Sequence, residues 1–198
     1  MNLEGKSIGF CFTGSFCMFS QTIKYLEELS KINKIKITPI MSFNSFNLDS
    51  KFGDSKDIIK EVEDICQNKV IHTIQDAEPI GPKKMFDILI VAPCSGNTIA
   101  KLSSDIIDTP VTMAVKSHLR NSRPVVIAIS TNNALSGAAE NIGRLLNRKN
   151  YYFVPVRQDN PITKPNSLVF DPKLIKSTLE EALDRNQIQP FFLWINYM

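Results

Sequence analysis

The sequence lacks a hydrophobic run long enough to cross a membrane. Its longest apolar stretches, such as residues 88–93 and 125–129, have the length of a buried strand, whereas a membrane-spanning helix needs about 20 apolar residues. The amino-terminal segment MNLEGKSIGF has no charged stretch followed by an apolar one, so it does not resemble a secretory signal. We therefore expect a cytoplasmic protein with no membrane partner.

A concentration of positive charge is also lacking. The 23 basic and 20 acidic residues are interleaved along the chain, and the net charge is only +3. Proteins that bind nucleic acids gather their basic residues on one face, often with aromatic residues between them. Nucleic acid is therefore not an expected partner.

Cysteine and histidine are scarce and widely separated. The four cysteines form no C-x-x-C pair, and the two histidines, His72 and His118, are 46 positions apart. Zinc sites need three or four such ligands at characteristic spacings. The sequence thus predicts no metal site, and reduced thiols are typical of a cytosolic protein.

Several catalytic and nucleotide-binding fingerprints are missing as well. No G-x-G-x-x-G is present and no acidic residue ends the second predicted strand, which argues against an NAD-type dinucleotide site. Gly5-Lys6-Ser7 resembles the end of a P-loop but lacks the upstream glycine. Neither G-x-S-x-G nor H-E-x-x-H occurs.

What the sequence does contain is a regular alternation of apolar strands and helix-period segments. Strands are predicted at residues 6–12, 35–41, 87–92, 124–129 and 151–156, and helices at 19–33, 54–67, 97–104, 111–120, 136–148 and 171–185. This alternation predicts an α/β fold, a three-layer αβα sandwich with a parallel Rossmann- or flavodoxin-like sheet of about five to six strands. We expect one domain over residues 1–198, with the tail 186–198 packing on the domain or on a partner. Two predicted loops, 43–53 and 157–170, are longer than such a fold requires.

Small polar residues follow four strands of the predicted sheet. In open α/β sheets ligands bind beyond the carboxyl ends of the strands, where hydroxyls, amides and helix amino termini bind anions. The candidate binding residues are Thr13, Gly14, Ser15, Ser42, Asn44, Pro93, Ser95, Asn97, Thr98, Ser130 and Asn132. Each could be an ordinary turn or capping residue, but all four turns on one edge predict a site for a phosphate-bearing mononucleotide.

Some of these turns resemble a known family. APCSGNTIAK (residues 92–101), behind an aspartate-led strand, and the T-G-S turn are similar to the flavin-contacting segments of the flavoprotein family that includes peptidyl-cysteine and phosphopantothenoylcysteine decarboxylases. A closer resemblance covers nearly the whole chain. GKSIGFCFTGS, AEPIGPK, SHLRNSRPVVIAISTNNAL and QDNPITKPNS resemble the family formed by the B subunits of the dipicolinate synthases of spore-forming bacteria.

The resemblance implies FMN as cofactor, with its phosphate against residues 13–15 and Ser42 and its ring near residues 95–98. It also implies oxidation of dihydrodipicolinate to dipicolinate in the mother cell of a sporulating bacterium. The A subunit of dipicolinate synthase, which resembles a nicotinamide-dependent Rossmann protein, would take part as the partner and carry NADP. Related flavoproteins build the cofactor site between subunits, so a homo-oligomer is expected.

The chain departs from the decarboxylases at two places. Their catalytic histidine would fall within residues 79–82, which read Pro-Ile-Gly-Pro, and His72 lies several residues too early. Their P-A-M-N motif is replaced by I-S-T-N at residues 129–132. Decarboxylation of a cysteine is therefore disfavoured, and no catalytic residue is assigned.

Three functions of different classes remain open. The chain could be one half of a two-part oxidoreductase, a non-catalytic partner that holds the A subunit through its apolar segment 191–195, or a decarboxylase-like or prenyl-transfer flavoprotein. For the first, a dicarboxylate substrate requires cations, and Arg157 and Lys164 in the long 157–170 loop are the candidates. Their alternative interpretation is that of solvated surface charges.

Overall fold

The computed structural model describes residues 2–194, and a single seven-stranded sheet forms its centre. The strands are β1 (Ser7–Phe12), β2 (Lys36–Met41), β3 (Ile88–Cys94), β4 (Val125–Thr131), β5 (Tyr151–Phe153), β6 (Val156–Asn160) and β7 (Lys164–Phe170). Their order is β2-β1-β3-β4-β7-β6, and β5 pairs with β4 beside its first residues. The first five strands are parallel, whereas β7 runs antiparallel to both β4 and β6.

Eight α-helices accompany the sheet among the described residues. They are α1 (Phe19–Ser30), α2 (Phe43–Asn47), α3 (Ser55–Cys66), α4 (Ile74–Ala77), α5 (Gly96–Ser103), α6 (Pro110–Leu119), α7 (Ala139–Leu146) and α8 (Ile175–Leu183). Every residue of β3 is buried, as a strand covered on both faces should be. The predicted α/β sandwich with a Rossmann- or flavodoxin-like sheet is confirmed. No helix between residues 2 and 194 combines the length and apolar character needed to cross a bilayer.

The prediction of a loop at 157–170 is wrong, because this segment forms the β6–β7 hairpin. The side-chain oxygen of Asn160 accepts hydrogen bonds from the backbone N–H groups of Ile162 and Thr163 and so fixes the turn. Residues 130 and 131 of β4 pair with β7, which makes the sheet mixed. The paired residues lie about 40 positions apart in the chain. The hairpin is mostly polar, so its sequence shows little of the apolar alternation that predicts a strand.

Two smaller differences concern segment ends. The predicted strand 151–156 is divided after Phe153, and its last residue begins β6. The predicted loop 43–53 contains the short helix α2, which Ser42 caps.

The described part of the tail lies along the edge of the sheet. The Val156 N–H donates to the carbonyl of Phe191 at 2.9 Å, and the Leu193 N–H donates to the carbonyl of Val156 at 2.8 Å. Residues 195–198, which include the last residue of the predicted docking segment, lie outside the described residues.

A buried histidine makes the stability of this fold depend on pH. His118 in α6 lies with its Nε2 atom 3.1 Å from the carbonyl oxygen of Pro124, and burial lowers its pKa from 6.5 to about 4. Between pH 6.5 and pH 4, His118 binds a proton in the unfolded chain but stays neutral in the folded chain. The free energy of unfolding therefore falls as the pH falls towards 4. Each pH unit in this range costs at most about 1.4 kcal/mol.

We expect His118→Gln to remove this dependence. In urea unfolding at pH 7 and pH 4.5, the variant should lose about 2 kcal/mol less than the wild type between the two pH values. His72→Gln, which keeps His118, is the matched control and should lose as much as the wild type. Equal losses in all three proteins would contradict the assignment to His118.

Candidate functional site

Two adjoining cavities lie at the carboxyl ends of the parallel strands. The smaller, of about 330 Å³, is lined by Gly14, Ser42, Phe43, Asn44, Ser95, Asn97, Thr98, Lys101, Asp108 and Thr109. The larger, of about 680 Å³, is lined by Gly14, Ser15, Phe16, Cys17, Met18, Gln21, Phe52, Ser95, Gly96, Ser130, Thr131, Asn132, Asp159, Lys164, Ser167 and Val169. Gly14 and Ser95 line both cavities, which therefore adjoin one another.

A buried hydroxyl joins the first and third strands at this edge. The Thr13 side chain is fully buried; its Oγ1 donates to the carbonyl of Pro93 at 2.7 Å and accepts from the N–H of Ser95 at 2.9 Å. Neither Thr13 nor Pro93 lines either of the two cavities. These two residues hold the β3–α5 turn in position, and the expectation that they also contact a cofactor stays a prediction.

The serine hydroxyls of the site cap helices and tie strand ends together. Ser42 Oγ accepts from the Ser45 N–H at 3.3 Å, and Ser95 Oγ accepts from the Thr98 N–H at 3.4 Å. Ser15 Oγ donates to the carbonyl of Ser130 at 2.7 Å. Ser15, Ser42 and Ser95 also line the cavities, so the same residues set the local backbone and provide the polar surface.

The first turn of α5 offers backbone donors to the cavities. An α-helix leaves its first N–H groups without carbonyl acceptors of its own, and α5 begins with Gly96 and Asn97, which line the larger and the smaller cavity. These groups, together with the positive end of the helix dipole, favour an anion.

The two glycines of the site are needed for different reasons. A Cβ atom on Gly96 would lie only 2.6 Å from Thr131 Oγ1, so the end of β4 packs directly against this residue. A Cβ atom on Gly14 would meet nothing closer than the Cβ atom of Asn44, at 3.9 Å. The fold therefore tolerates a side chain at position 14, and the missing side chain leaves the wall between the cavities open.

One ion pair in the smaller cavity was not predicted from the sequence. Lys101 Nζ lies 2.7 and 2.6 Å from the two carboxylate oxygens of Asp108. Lys101 belongs to the APCSGNTIAK segment and stands one helical turn after Asn97, so helical spacing could have found it. Asp108 follows the end of α5, and no sequence periodicity places it there.

The two cations predicted to bind substrate are separated. Lys164 lines the larger cavity, where its Nζ lies 2.5 Å from Asp159 Oδ2 and the hydrogen bond to this carboxylate raises the pKa of Lys164. Arg157 lines a different cavity of about 410 Å³, with Leu168, Phe192 and Trp194 among its neighbours. Of the other predicted residues, Ser42, Asn44, Asn97 and Thr98 line the smaller cavity and Ser15, Ser130 and Asn132 the larger.

Comparison with known proteins shows the family of this chain. Residues 1–171 match the model of the Flavoprotein family. The chain belongs to this family. The flavoprotein is 40% identical over 193 residues to the B subunit of dipicolinate synthase from Bacillus subtilis (strain 168), a match that covers 97% of this chain and 96% of the relative.

One solved structure shows the same relationship, and others share the fold. The crystal structure of the dipicolinate synthase B subunit from Bacillus halodurans C superposes with a TM-score of 0.89 at 40% identity, covering 98% of this chain and 99% of that one. DmrB of Burkholderia xenovorans, a cubic cage crystallised with FMN, shares the fold with a TM-score of 0.66 at 16% identity, over 91% of this chain and 97% of its own. The resemblance to the B subunits of dipicolinate synthases is thus confirmed, and the more distant neighbours show the fold alone.

The Thr13 bridge should be measurable as stability. Thr13→Val keeps the shape of the side chain but leaves the Ser95 N–H and the Pro93 carbonyl without their buried partner, which should lower the free energy of unfolding by about 1–3 kcal/mol. Thr22→Val is the matched control, because Thr22 is equally buried but its hydroxyl donates only to the carbonyl of Met18 one helical turn earlier. Urea unfolding of both variants tests this, and equal losses would show that the bridge adds nothing.

Proposed function

We propose that this flavoprotein binds FMN across the two adjoining cavities and shares, with a second subunit, in oxidising dihydrodipicolinate to dipicolinate during sporulation. The observation that carries the proposal is the pairing of a small polar cavity holding a lysine with a larger cavity of mixed polarity. A mononucleotide has the same division, since a compact phosphate is joined to a larger flat ring. The 40% identity to the dipicolinate synthase relative supports the choice of reaction.

The residues present fit FMN in this orientation. The volumes of about 330 and 680 Å³ lie within the usual range of small-molecule sites, about 300–1,000 Å³. Lys101, Ser42 and the first turn of α5 would hold the phosphate. Phe16, Phe52 and Val169 would contact the ring in the larger cavity. The phosphate would then lie beside residues 95–98, where the ring was predicted from the sequence. The ring would lie beyond Ser95, in the larger cavity.

The protein's part in the reaction would be to bind, orient and shield. FMN, when bound, would supply an acceptor for the hydride that aromatisation of a dihydropyridine releases, and the accompanying proton would pass to solvent. Lys164 would bind a substrate carboxylate in the larger cavity, and the apolar walls would keep water from the ring. The second subunit, of the nicotinamide-dependent type, would carry NADP, and the work would take place in the cytoplasm of the mother cell.

A second candidate function, docking to the second subunit without catalysis of its own, is favoured by one surface. Trp194 and Phe192 are 93% and 62% exposed beside the cavity that contains Arg157. Decarboxylation gains no such support, because His72 stacks on Phe46 with ring centroids 3.9 Å apart and lines neither site cavity.

Gly14 provides the test of FMN binding that does not disturb the fold. Gly14→Val should fill the opening between the cavities and weaken FMN binding roughly fivefold to 150-fold, because overpacking a fitted site costs about 1–3 kcal/mol. Flavin fluorescence quenching during titration measures the affinity. Gly143→Ala is the control, since a Cβ atom there meets nothing within 4 Å. Absence of quenching by the wild type would exclude FMN as the ligand.

Substitution of the two separated cations tests the substrate site. With the second subunit present and substrate below saturation, Lys164→Ala should lower kcat/KM roughly tenfold to a hundredfold, the loss expected for one charged hydrogen bond. Arg157→Ala should leave kcat/KM near the wild-type value, because Arg157 lines the other cavity. Equal losses in both variants would show that both cations bind the substrate. Undiminished turnover by the second subunit on its own would instead favour the docking role.

A further inference from the structure

The smaller cavity contains one positive and one negative side chain, and they neutralise each other. Among the residues of 2–194 that line it, only Lys101 and Asp108 are ionisable, and both oxygens of Asp108 lie within 2.7 Å of Lys101 Nζ. The carboxylate is therefore placed where a phosphate group would bind the same ammonium group. A carboxylate presents a planar set of oxygens and a phosphate a tetrahedral set. Either can accept the hydrogen bonds of a lysine ammonium group, which acts as a point charge.

The two partners differ in how firmly they are held. The Lys101 side chain is 21% exposed and lies on α5, whereas the Asp108 side chain is 54% exposed and lies in the connection before α6. Asp108 can therefore move into water at little cost, while Lys101 stays in the cavity wall. An exposed pair of this kind stabilises the fold only slightly, so the carboxylate can be exchanged for an anion that makes more contacts.

We propose that Asp108 occupies Lys101 in place of the cofactor phosphate, and that this pair determines the preference of the site for a phosphorylated flavin over riboflavin. The inference rests on the proposed binding of FMN. A phosphate monoester carries about −1.5 to −2 charges at pH 7, more than a carboxylate, and it would also meet the N–H groups at the start of α5. FMN thus displaces Asp108, whereas riboflavin leaves the pair intact and gains nothing from it.

The preference can be measured by titrating FMN and riboflavin separately into the wild type and three variants. In Lys101→Gln the affinity for FMN should fall roughly tenfold or more, while the affinity for riboflavin stays unchanged. In Asp108→Asn the competitor is removed, so the affinity for FMN should rise by up to about fivefold with riboflavin again unchanged. Lys101→Arg keeps the charge and should retain most of the preference.

Lys116→Gln is the matched control, because this exposed lysine lies on α6 and lines neither of the two site cavities. It should leave both affinities at the wild-type values. Without ligand, Asp108→Asn should unfold at the same temperature as the wild type or slightly below it, because the exposed pair stabilises the fold only slightly; a large loss would indicate a role in folding.

The outcomes distinguish this inference from the proposed function. If the wild type binds FMN and the ratio of the FMN and riboflavin affinities is the same in all variants, the role of the pair is overturned and the FMN site stands. If Asp108→Asn weakens FMN binding, the carboxylate orients Lys101 and does not compete with the phosphate, which also overturns it. If the wild type binds neither flavin, both proposals fail together.

Discussion

The site depends on the buried hydroxyl of Thr13. Thr13 directly follows β1. Its hydroxyl donates to the carbonyl of Pro93, near the end of β3, and accepts from the N–H of Ser95, the first residue of the following turn. Because a buried polar group that loses its partner is costly, this bridge leaves the β3–α5 turn little freedom. The position of α5, and with it the position of Ser95 and Lys101, follows from that turn.

Hydroxyl groups at this edge serve the fold and the cavity at once. Ser95 begins α5 by accepting the Thr98 N–H, and the same residue lines both cavities. A capping residue must lie at the first turn of a helix, and the first turn is also where an anion finds free N–H groups. The overlap is therefore imposed by helix geometry. It explains why turn residues that look ordinary one by one predict a single candidate site when taken together.

Prediction from sequence succeeded where the signal was local and failed where it was long-range. Apolar runs and capping residues placed four of the strands and the carboxyl edge, because strand and helix ends have their own sequence signatures. The β6–β7 hairpin was missed, since it pairs with residues 130 and 131 of β4, which lie about 40 positions earlier in the chain. Asp108 was missed for the same reason. Its partner Lys101 is seven positions away and on the other side of a helix end, so no local spacing connects the two.

Both cavities contain a lysine that an aspartate already holds: Lys101 with Asp108 in the smaller and Lys164 with Asp159 in the larger. A cavity with an unpaired cation would bind many anions, because a single sign of charge attracts all of them. A paired cation binds only an anion that replaces the carboxylate and gains further contacts, such as the N–H groups of α5. Discrimination then comes from a difference between two affinities. For a chain with a net charge of only +3, the proposed exchange would provide selectivity for a phosphate or a dicarboxylate without a strongly positive surface.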